Sequence, residues 1–159
     1  MVASINLWRI AKHTDQFSAV DLSGEGAKLT GGRWNSKAFA VVYSASTIAL
    51  AALETLAHLG DNVAARNRFL VKITVPGTVW ARREIIDATQ LDPTWLAEPP
   101  GSTSIDFGNR WLASNSAPLL LVPSIIVPEE YNVLINPLHP LSKKIGATVQ
   151  RQFIYDPRL

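Results

Sequence analysis

Three charged side chains stand in apolar surroundings: Arg9 in LWRI, Arg33 in GGRW and Glu54 in ALETLAHL. On a helical wheel Leu50, Leu53 and Ala57 share one face, and Glu54 lies about 40° from Leu50, at its edge. A carboxylate there is either a boundary group reaching water or a charge held in a cleft, and His58 one turn on can pair with it. Arg33 follows Gly31–Gly32 and precedes Trp34. Its fork of donors suits bidentate contact with phosphate, and glycines let backbone N–H groups approach an anion. A guanidinium simply stacked on Trp34 is the alternative. Arg9 needs an anionic partner if its strand is buried, either an internal carboxylate or a ligand phosphate. Tyr43 and Ser124 say little alone, because an aromatic in a strand is usually core and a Ser after Pro is usually turn chemistry. Together, two arginines, a tyrosine, a glutamate and a serine on apolar elements can converge into a polar pocket for something anionic, with a carboxylate for proton or cation chemistry.

The elements that must position them are short. Leu7–Ile10 reads as a strand, and Asp21–Trp34, with four of the nine glycines, as loop. The apolar run Ala40–Ala45 predicts a buried strand. Ser46 or Thr47 can cap a helix over Ile48–Leu59 that stops at Gly60. Further strands are expected at Arg68–Val75, Leu119–Val122, Tyr131–Ile135 and Gln150–Tyr155, with a short helix near Pro93–Ala97, a loop at Pro99–Ser102 and a helix over Asp106–Asn115. Strands outnumber helices without alternating with them, which predicts an α+β fold in one domain, residues 1–159.

Composition narrows the chemistry. The chain has 159 residues, 47% of them hydrophobic and 18% charged, and no cysteine. That length supports a full core without a staple, and the missing thiols exclude a disulfide scaffold, Cys-ligated metal and a thiol nucleophile. No metal-ligand motif surrounds His13, His58 or His139. The sequence pI is about 9.1, yet the net charge is only +2. Residues 1–130 carry 11 basic against 12 acidic side chains, net −1, and the last 29 residues are net +3. Two surplus charges cannot supply a multi-phosphate footprint, so direct nucleic-acid binding is not expected. No signal-like or membrane-spanning segment is found, because Val41–Leu59 is interrupted by polar residues, and a cytoplasmic location is expected. Gly24–Glu25–Gly26 is followed by Leu at position 29 where a dinucleotide fingerprint needs its third Gly, and no phosphate-binding loop or nucleophile elbow occurs.

The run GGRWNSKAFAVVYSASTIALAALETLAHL (Gly31–Leu59) resembles the signature of the RES domain family, the toxin half of bacterial RES–Xre toxin–antitoxin pairs. Arg33, Glu54 and Ser124, the last in LLLVPSIIVPEEYNVLINPLHP, match the Arg, Glu and Ser for which the family is named. Arg9 in LWRI, Tyr43 in VVYSAS and the stretch from Asn132 to Pro140 also fit, so the resemblance spans about Leu7 to Pro140. It implies an ADP-ribosyltransferase-like α+β fold that breaks the nicotinamide–ribose bond of NAD+. NAD+ is then a consumed substrate, with no permanently bound cofactor and with phosphate as a further co-substrate when cleavage is phosphorolytic. Water, phosphate or a protein such as a phosphoribosyl pyrophosphate synthetase would accept the ADP-ribose. The implied partner is an Xre-type helix-turn-helix antitoxin that blocks the active site, and a homodimer within that complex is compatible with the pattern.

In this reading Glu54 stabilises or orients the oxocarbenium-like ribose. Arg33 and Arg9 hold phosphates, Tyr43 offers a flat face to nicotinamide, and Ser124 makes a hydrogen bond that positions substrate or Glu54. Ser44 and Ser46 are further binding candidates from the same segment. A non-catalytic binding module, with its apolar content and basic end serving a partner, is the competing expectation.

Overall fold

A computed structural model describes residues 3–60 and 66–159. Seven strands form one mixed sheet: β1 (Ile5–Lys12), β2 (Val42–Ala45), β3 (Arg68–Val75), β4 (Glu84–Ile85), β5 (Leu119–Pro123), β6 (Tyr131–Ile135) and β7 (Gly146–Gln152). Their order is β4-β5-β6-β2-β1-β3-β7, antiparallel throughout except for β4 beside β5. Four helices accompany them: α1 (Glu25–Thr30), α2 (Ile48–Leu59), α3 (Gly77–Trp80) and α4 (Ser102–Ser114). The α+β expectation holds.

Strand alternation sorts the buried residues by face. Leu7, Val42, Val71, Ile73, Leu119, Leu121 and Val133 point to one side and form the largest apolar cluster. The other side carries two separate clusters. Ile10, Ala45 and Leu70 pack there with Leu50 and Ala51 of α2. Leu120, Val122 and Leu134 pack with Trp34, Trp95 and Trp111, the last from α4. Two helices thus cover different parts of the same face, and a seam lies between their clusters.

The helix at Ile48–Leu59 has the expected bounds, and of the two candidate caps Thr47 is the one used, accepting from Leu50 N at 3.1 Å. The strands β3 and β6 also match their predicted ranges. Three expectations are corrected. Asp21–Trp34 is not all loop, because α1 occupies Glu25–Thr30; no residue of this helix is buried, so no apolar periodicity announces it. The helix expected over Asp106–Asn115 begins at Ser102, inside the stretch read as loop, because its first turn is polar. The last strand is Gly146–Gln152 rather than Gln150–Tyr155; it is an exposed edge, selected by pairing with β3 rather than by burial. The short helix near Pro93 is a 3-10 turn over Pro93–Leu96. Among the described residues no helix is long and apolar enough to cross a membrane.

Candidate active site

Glu54 projects from the second turn of α2 at the seam, half-buried. Its Oε1 accepts two hydrogen bonds, from Ser124 Oγ at 2.6 Å and Asn132 Nδ2 at 2.8 Å. Both donors are neutral, and among the described residues Glu54 has no ion pair and Oε2 no hydrogen bond. Bonds from neutral donors to a carboxylate oxygen are short and strong, so the group is held without an ion pair.

The two donors come from the ends of adjacent strands. Ser124 follows β5 directly and is fully buried. Its N donates to Glu130 O at 2.9 Å, and its Oγ accepts from Ile126 N and Val127 N, each at 3.1 Å. With both lone pairs occupied, the hydroxyl has only its proton left to give, and it gives it to Glu54. Pro123 and Pro128 bracket this turn and confine its backbone. Asn132 sits in β6 opposite Ala45 of β2 and Val122 of β5.

Tyr43 shares this face of the sheet, two residues before Ala45 and opposite Leu134. Its hydroxyl donates to Asn35 Oδ1 at 2.6 Å and accepts from Trp34 N at 3.0 Å. Burial pushes the phenol's pKa well above its ordinary value, outweighing the hydrogen bond from Trp34 N and the charge of Arg33. Gly32 is needed here: a Cβ on it would stand 2.7 Å from the Tyr43 hydroxyl. Asn35, buried, also donates through Nδ2 to Ala27 O at 2.9 Å and Phe39 O at 3.1 Å, closing the turn around Arg33. Helix α4 holds that turn from outside, with Asn109 Oδ1 accepting from Ser36 N at 3.0 Å and Gly108 packed against the Trp34 carbonyl.

Arg33 is neither free nor merely stacked. Its Nη1 donates to Trp95 O at 3.1 Å and Ala97 O at 2.8 Å, and its Nη2 pairs with the Glu98 carboxylate. The Arg33 side chain is 12% exposed and that of Glu98 72%. A largely covered cation therefore faces an exposed carboxylate.

The remaining candidates fall elsewhere. Arg9 shares a face of β1 with Leu7 and Ala11, opposite to Trp8, Ile10 and α2. The structure does not bring it to Glu54. Burial lowers the pKa of its guanidinium, partly offset by Asp21 on that side. Ser44 is buried and donates to Val133 O at 2.8 Å, on the Arg9 side of the sheet. Ser46 is exposed, and its backbone N donates to Tyr131 O. Asn132, Asn35 and Glu98 carry site contacts that their sequence contexts did not assign; the signals were a polar residue beside a buried strand at Asn35 and, at Asn132, a polar residue within one that opens the stretch fitting the family pattern. Among the described residues no three of His, Asp and Glu converge on a metal-holding cluster. Two grooves, one beside Lys143 and one beside Trp111, lie away from Glu54.

The RES domain model matches residues 6–156. The chain belongs to the RES domain family. A protein of Sphingobium sp. (strain YBL2) named "Prs ADP-ribosylating toxin" is 51% identical over 154 residues, covering 97% of this chain and 96% of that one. Proteins named "Toxin Res" from Yersinia enterocolitica and Pseudomonas putida are each 36% identical, over 96% of this chain and 98% of theirs. Within the matched range Glu54 and Ser124 are directly hydrogen-bonded, and Arg33 lies in the turn that caps Tyr43.

Proposed function

We propose that this RES domain is a toxin that binds NAD+ and breaks its nicotinamide–ribose bond. The observation that carries the reading is Glu54: an anchored, uncompensated carboxylate with one open oxygen, on the same sheet face as Tyr43. In the reaction the C1′–N bond breaks and nicotinamide leaves with the electron pair as a neutral base. The positive charge left on the ribose is stabilised by Glu54, directly or through a ribose hydroxyl donating to Oε2. The acceptor supplies the new bond and releases a proton. Arg33 takes the pyrophosphate once it displaces Glu98, and Tyr43 lines the nicotinamide side. Ser124 acts on Glu54, with no lone pair left to attack substrate. Nicotinamide release by antitoxin-free protein, followed with and without phosphate, tests this; no release under either condition refutes it.

The Sphingobium relative's name favours a protein acceptor as a second reading, with phosphoribosyl pyrophosphate synthetase as the candidate target. Labelled NAD+ incubated with lysate distinguishes the two, since label fixed to one protein band supports transfer and label found only in small molecules supports hydrolysis or phosphorolysis. The relatives named toxins also support pairing with an Xre-type antitoxin covering the seam, which co-purification with the product of an adjacent helix-turn-helix gene would test.

A further inference from the structure

We infer that Asn132 is a positioning residue that, with Ser124, commits Glu54 to act through Oε2. The kinetic arm of this inference rests on the NAD+-cleaving reading; its structural arm does not.

Both donors meet the same oxygen. A carboxylate accepts only, so Asn132 must turn Nδ2 toward it, and the amide cannot flip without losing the bond. The backbone of Asn132 is fixed between β5 and β2, opposite Val122 and Ala45. Ser124 is equally fixed, with every hydrogen-bonding position of its hydroxyl used. A glutamate at a helical rim would otherwise sample several rotamers. Here two strand ends clamp it from one side and leave the second oxygen open. A lysine or arginine at position 132 would also hold the carboxylate, but it would pair with the charge that stabilises a cationic ribose. A neutral amide orients the group and leaves that charge available. Among the described residues the other titratable groups on α2 and around these strand ends are His58, Glu129, Glu130, Tyr131 and Tyr155, and none of them bonds to Glu54; the Tyr155 hydroxyl donates to Ala52 O instead.

Two isosteric variants separate orientation from packing. Asn132→Leu removes the donor, and kcat for nicotinamide release should fall at least about tenfold while the NAD+ dissociation constant by calorimetry stays within about threefold. Asn132→Asp keeps the shape but replaces the donor with a like charge. It should be as impaired at about pH 8 and partly recover relative to wild type toward about pH 5, where the introduced carboxyl takes up a proton and can again donate. A purely steric role predicts normal kcat in Asn132→Asp at every pH, and that result overturns the inference. Crystals of Asn132→Leu give the independent arm: the Glu54 carboxylate should rotate or spread over several rotamers, and an unmoved Glu54 also overturns it. If wild type releases no nicotinamide, the catalytic reading fails, and the Glu54 conformation in those crystals still decides the positioning role.

Discussion

At residue scale the site rests on one carboxylate with unequal oxygens. Glu54→Gln is nearly isosteric but removes the charge, and Ser124 and Asn132 can still hydrogen-bond to its amide oxygen. Nicotinamide release should therefore drop by at least about 100-fold, comparable to losing a principal electrostatic stabiliser, while NAD+ affinity changes little. Single-turnover kinetics beside calorimetry would show the split; equal losses in both would assign Glu54 to binding instead. The Arg33–Glu98 pair gives the second residue-scale expectation. An exposed carboxylate contributes only about 0.2–1 kcal/mol to such a pair, so removing its charge should lower the KM for NAD+ by at most about fivefold. Glu98→Gln tests this in steady-state assays, and an unchanged or raised KM would mean that substrate does not take the Glu98 position.

At element scale, close backbone approach adds to the Asn35, Tyr43 and Asn109 hydrogen bonds in holding the Arg33 turn in place. A Cβ on Gly108 would sit 1.7 Å from the Trp34 carbonyl oxygen, so α4 and the turn cannot both stay where they are. Gly108→Ala should cost about 3 kcal/mol or more, read by urea unfolding; a loss under about 1 kcal/mol would mean that the two elements separate easily. Gly32→Ala presses on the movable Tyr43 ring instead. It should reduce turnover more than stability, since the ring can swing away only by breaking its bonds to Asn35 and Trp34 N. The sequence displays the elements unevenly for the same reason. The helix α2 and the strands β3 and β6 have strong apolar patterns and clear stops, and their bounds could be read directly. Helix α1 buries no residue and no side chain caps its N-terminus, so its pattern did not mark it; strand β7 buries little, and pairing with β3 rather than an apolar pattern set its bounds.

At the scale of the whole molecule, acid stability carries a signed expectation. His139 is 8% exposed, and its Nδ1 accepts from Leu141 N at 3.1 Å, which requires an unprotonated nitrogen. Burial, and next the charge of Arg82, hold its pKa below the ordinary 6.5. The unfolded chain thus binds this proton more readily than the folded one. The associated stability is fully present above about pH 6.5 and is lost as pH falls through the lower folded value. The melting temperature should decline below about pH 6.5, and His139→Asn, which keeps a capping acceptor without titrating, should flatten that decline. An equal decline in both proteins would place the acid sensitivity elsewhere.

The residue types, their order and the main apolar patterns were decided locally, because helix caps, strand alternation and motif spacing act over a few positions. From these came the α+β class, the α2 helix and the expectation that Arg33, Tyr43, Glu54 and Ser124 form one site. What required the tertiary structure was sidedness and partnership. Arg9 was expected as a fifth member of that group, but a strand has two faces, and which one meets α2 depends on the register of β1 with β2 and β3. Asn132 gained its place because β6 pairs between β5 and β2 and delivers an amide to a carboxylate 78 residues away in sequence. Arg33 gained a partner in Glu98 the same way, across 65 residues. Spacing along the chain carries no information about such contacts; only the closed sheet brings them within hydrogen-bonding reach.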